Sequence, residues 1–174
     1  MLKKITFIAI AIVFSLSVIA QSTPQKVSEK VTVTFPGKPE EQKLPNNASI
    51  YTFKRDSTQM LMGMSIDLSP MGLTTEIIQS QGDALWDQMV GGMTQQMPGA
   101  IISKNEKTTF KGQSGVFLEI DGTNSTAPNL KGRKAFAYLF FIDASLHQFA
   151  FYSSNKDAKV SDEQAFFDSV TIQK

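Results

Sequence analysis

His147 is the single histidine of this 174-residue chain, so any imidazole chemistry must use it. Alternation along its segment places it on one face with Ser145, Phe149 and Phe151, and Asp143 stands at the preceding turn. The residue types match a Ser, His, Asp set for nucleophilic catalysis, but the spacing does not. Residues two apart on a strand lie about 6.8 Å apart along its axis, beyond hydrogen-bond reach. An ordinary histidine at a strand start fits better. One histidine excludes a zinc centre built on two or more histidines of one chain, and the lack of cysteine removes thiolate ligands, disulfides and thiol catalysis.

Glu119 and Asp121 share a strand face at roughly the carboxylate separation of inverting glycosidases, which makes a carboxylate-dependent hydrolase one alternative. Arg133 and Lys134 open the next strand, however, and cross-strand charge pairs account for both acids without chemistry. Met60, Met62 and Met64 on one element, with Met89, Met93 and Met97 on another, offer soft thioether ligands for Cu(I), a second alternative. Each series keeps the period of its own element, so mutual packing in the core is the better account. The segment 122–132, GTNSTAPNLKG, is long for a hairpin loop. It carries Asn124, Ser125, Asn129 and Lys131, with Arg133 just beyond, and these five are the expected surface for a ligand or partner bearing an acidic or phosphorylated group. No motif implies a cofactor.

The elements that must position these groups follow from hydrophobic periodicity. Strict alternation predicts strands over 31–35, 50–54 and 60–68. Leu85, Met89, Met93 and Met97 fall four apart and predict a helix ended by Pro98 and Gly99. Strands resume over 101–110, 116–121, 135–142 and 146–152, before a helix starting near Ser161 and a short strand over 170–172. The 135–142 segment has no polar face, so it is expected at the middle of the sheet and covered on both sides. Short links between strands predict a mostly antiparallel sheet of about seven strands with a helix on each face.

Residues 1–20 carry Lys3 and Lys4, no acid, and an apolar run ending at Ala20, the pattern of a cleaved secretory signal peptide. Residues 21–26 are expected as a flexible lead and 27–174 as one domain. With 17 Lys plus Arg against 16 Asp plus Glu, the chain lacks the basic excess of a nucleic-acid binder. Secreted or periplasmic localisation, without membrane insertion after cleavage, is expected.

The stretches 32–38 (TVTFPGK), 82–93 (GDALWDQMVGGM), 111–122 (KGQSGVFLEIDG), 132–142 and 166–172 (FFDSVTI) together resemble the Mog1/PsbP-like fold. The resemblance implies an α/β (α+β) three-layer α/β/α sandwich around an antiparallel sheet. Proteins of this fold include photosystem-associated subunits, a GTPase-binding protein and bacterial proteins of no known activity, with no shared catalytic motif. The function expected is therefore an exported, non-catalytic binding or accessory domain whose partner is an envelope protein or a small ligand.

Overall fold

The computed structural model describes residues 22–45 and 47–173, and the expected signal peptide over 1–20 lies outside them. In chain order the strands are β1 (Thr23–Lys26), β2 (Val31–Phe35), β3 (Glu40–Leu44), β4 (Ala48–Lys54) and β5 (Gln59–Asp67). Helices α1 (Thr75–Gln81) and α2 (Asp83–Gln96) follow, then β6 (Ile101–Phe110), β7 (Gln113–Asp121), β8 (Lys134–Ile142), β9 (Ser145–Ser153), α3 (Gln164–Asp168) and β10 (Thr171–Ile172). Among the described residues no helix is long and apolar enough to cross a membrane.

A seven-stranded antiparallel sheet forms the middle layer, in the order β3-β4-β5-β9-β8-β7-β6. β9, rather than the expected β8, holds the middle position; β8 lies beside it, since two apolar faces require an interior place but not the central one. Phe136 and Phe140 of β8 enter one core together with Phe149 and Phe151 of β9. The alternate residues Ala135, Ala137 and Leu139 enter the other.

The two outer layers are unlike. The Phe140 face is covered by a second sheet, β1-β2-β10, and by α3, rather than by a helix alone. The physical reason lies in β2: Val31, Val33 and Phe35 are all 0% exposed. Its apolar face packs onto the large sheet while its edges pair with β1 and β10. Phe35 meets Phe166 of α3 with ring centroids 5.3 Å apart. The opposite face is covered by α2, through buried Trp86 and Val90 and half-buried Met89 and Met93.

Three elements depart from the sequence expectation. Thr23–Lys26, expected within a flexible lead, is strand β1, with Thr23 opposite Phe35 and Lys26 opposite Thr32. β3 is exposed along its whole length and has no apolar face to announce it. It is an edge strand, where charge protects the unpaired side and costs little. α1 is a separate helix with no buried residue; Thr74 caps it by accepting from the Ile77 N–H at 3.4 Å. Gly82, at φ +49°, breaks it from α2.

A candidate ligand-binding cleft

The 122–132 loop is folded onto the protein rather than standing free. Leu130 is 5% exposed and belongs to the core beneath α2, with Ala127 packed beside it. Thr126 N–H donates to the Pro98 carbonyl at 3.0 Å, which ties the loop to the end of α2. Ser125 is buried, and its Oγ accepts from the Ala127 N–H at 3.1 Å. Arg133 donates to the Ser57 carbonyl at 3.3 Å. Asn124, Asn129 and Lys131 remain exposed. The five loop residues are thus split between the fold and solvent.

Glu119 sits 3.5 Å from Lys134 Nζ, in a cleft also bordered by Lys104, Lys156 and Lys159. Asp121 accepts from the Thr123 N–H at 2.9 Å, and hydrogen bonds from the Thr123 side chain and backbone hold its carboxyl below the usual range. A general acid needs the opposite shift. The acids are therefore better explained as a charge pair and a turn acceptor, as the cross-strand account expected for Glu119. Five of the six methionines serve the core: Met60 and Met62 are buried in the cluster against which Met89, Met93 and Met97 pack, whereas half-buried Met64 belongs to neither core cluster. The Met62 sulfur lies 3.8 Å from the Tyr152 hydroxyl, a phenol that burial pushes up to about 12.

His147 has a different environment from the one its neighbours in sequence suggested. Its ring is 1% exposed and stacks on Phe140 at 5.4 Å, directly across the β8–β9 pair. Neither Ser145 nor Asp143 completes a triad. Instead Nε2 contacts Ser28 Oγ at 2.9 Å and Ser65 Oγ at 3.3 Å. Ser65 is its cross-strand partner on β5, whereas Ser28 comes from the β1–β2 turn in the outer sheet. Nδ1 meets no partner at hydrogen-bond geometry, although the nearby Ser145 backbone weakly favours the charged ring. Desolvation wins and pushes the imidazole pKa down to about 4, so the ring is neutral at pH 7.

These groups form the floor of a cleft of about 690 Å³, bounded by the β1–β2 turn, the end of β5 and the start of α1. Serine and threonine hydroxyls dominate its polar lining, among them Ser28, Ser49, Ser65 and Thr75. The volume falls within the range of small-molecule sites, roughly 300–1,000 Å³. Sequence reasoning missed the cleft because Ser28 and His147 are 119 positions apart. One signal was present: a polar residue in phase with Phe149 and Phe151 on a buried face must find partners in the covering layer.

No protein-family model matches the chain, and no curated protein does. Among solved structures, the chain is similar to the solution structure of cyanobacterial PsbP (CyanoP) from Synechocystis sp. PCC 6803. The match covers 88% of this chain and 94% of that one, with a TM-score of 0.53 at 14% identity. The chain has a PsbP-like fold. The likeness is one of architecture, so the PsbP-like scaffold leaves the cleft to be interpreted from its own residues.

Proposed function

We propose that this PsbP-like protein is an exported, non-catalytic accessory domain that binds a small ligand in the cleft beside His147. The observation that carries the proposal is the cleft itself, with a neutral, buried imidazole and two serine hydroxyls in its floor. Its polar groups are held in place by the β5–β9 pairing below and the β1–β2 turn above, which is the preorganisation a binding site needs. Catalysis is less well supported. His147 has no carboxylate to orient it, and its depressed pKa makes it a weak base. Export rests on the 1–20 leader pattern. An envelope protein partner is the second form of the same function, and the exposed Asn124, Asn129 and Lys131 would then meet it.

Thr75 decides between the two surfaces. It borders the cleft from a helix without buried residues, so Thr75→Trp should fill the space and leave the fold intact. Ligands that raise the melting temperature of the wild-type protein in a mixed small-molecule screen should lose that effect in Thr75→Trp and keep it in Asn129→Trp. The reverse pattern would place binding on the loop and overturn the proposal.

A further inference from the structure

A second cleft, of about 580 Å³, adjoins the one beside His147. Lys30, Thr75, Ile142 and Asp143 border both, so the two are halves of one groove whose outer wall is α1. The halves differ in chemistry. Around His147 the rim carries Glu29, Asp67, Glu76 and Asp143 against a single lysine, Lys30. Lys30 is already held by Asp143, Nζ to Oδ2 2.6 Å. Three rim carboxylates are left without a cation of their own among the residues bordering this half.

Hydrogen bonds from the Ser69 backbone N–H and from the Thr74 hydroxyl hold the Asp67 and Glu76 carboxyls below the usual range. The second half adds an aromatic wall that the first lacks: Trp86 and Phe141 lie tilted against each other with ring centroids 4.6 Å apart, beside Ile78 and Ile172. Its own acid, Asp83, is paired with Lys107 at 2.9 Å. The rim acids stand too far apart to ligate one metal ion: among the described residues no three acids or histidines form such a group. They suit a diffuse organic charge better than a bare ion.

Resting on the cleft as the binding site, we propose that the groove takes an organic cation, with its ammonium or guanidinium group among Glu29, Asp67 and Glu76 and its apolar body against Trp86, Phe141 and Ile142. Charge complementarity chooses the sign of the ligand, and removal of apolar surface from water chooses its shape. His147 lies in the floor with its ring buried.

Trp86 is the single tryptophan and reports on the aromatic wall of the second half directly. The test titrates the protein with phenethylammonium, with neutral phenethyl alcohol and with anionic phenylacetate. Trp86 emission and the Ser65 and His147 amide resonances are followed together. Phenethylammonium should bind saturably and move all three signals, the alcohol should bind about tenfold more weakly, and phenylacetate should not bind. Glu76→Gln and Thr75→Lys should each weaken phenethylammonium several-fold at unchanged melting temperature, and Glu76→Gln decides if Thr75→Lys fails to fold. Equal binding of the alcohol or of phenylacetate would overturn the cation assignment while leaving the cleft as the site. A different ligand class entering the groove while phenethylammonium stays out would do the same. If no small molecule of any charge enters the groove, the proposed binding function falls with it.

Discussion

The 122–132 loop and the His147 cleft lie at opposite ends of the large sheet. Asp121, Lys134 and Ser153 are in register at the loop end, and Asp67, Ser145 and Ile142 at the cleft end. The loop is long and polar, yet it closes its end: Leu130 plugs the core and Thr126 ties the loop to Pro98. The cleft end has only a two-residue turn between β8 and β9 and the weakly packed α1, and it is left open. Loop length is therefore a poor guide to accessible surface here. Open space arises where the outer layer changes from the three-stranded sheet to α1 and neither covers the floor.

The largest expected contrast between the ends is in stability. Leu130→Ala should cost about 2–5 kcal/mol in denaturant unfolding, because a buried leucine leaves a cavity under α2. Thr75→Ala, at the cleft, should stay within about 0.5 kcal/mol. A neutral Leu130→Ala would show that the loop is not part of the core. Gly99→Ala bears on the same docking: Gly99 has φ +77°, and an added Cβ would lie 2.2 Å from the Asn124 carbonyl oxygen. It should cost more than about 1 kcal/mol.

Next in size is a pH effect confined to the cleft end. The His147 pKa is near 4 in the folded protein and about 6.5 unfolded, so the unfolded state binds the extra proton between those values. Folding stability is then full above pH 6.5, falls as pH drops from 6.5 to about 4, and loses nothing more to this group below that. The loss amounts to about 3 kcal/mol. Carboxylates held low, such as Asp121, lose their contribution only below about pH 4, which separates the two effects. Equilibrium unfolding at pH 7, 5.5 and 4 should show the slope in the wild type and a flat response in His147→Gln. A slope unchanged by that substitution would remove His147 as its source.

A smaller effect tests the link between layers. Ser28→Ala removes one contact to Nε2 while Ser65 keeps the other, so it should cost about 1 kcal/mol. A loss as large as that of Leu130→Ala would mean that the β1–β2 turn carries the cleft end as the loop carries its own.

The legible parts of the molecule were those whose residues repeat. β2 alternates and β8 is apolar throughout, and both took the roles their patterns demanded. β1 and β3 were invisible because strands at a sheet edge need no apolar face, only partners. The loop showed its length but not its docking, since Leu130 carries no periodic signal inside a single-turn segment. The cleft was least legible. Its floor joins Ser28, Ser65 and His147 from three elements, and only the packing of the small sheet on the large one brings them together.

The most direct test of the binding site is an amide chemical-shift map of the protein against a small-molecule library of mixed charge. Ligand-induced shifts should cluster at Ser28, Ser65, Thr75 and His147, with the 122–132 loop unmoved. Shifts gathered on Asn124, Asn129 and Lys131, with the His147 cleft silent, would contradict the account.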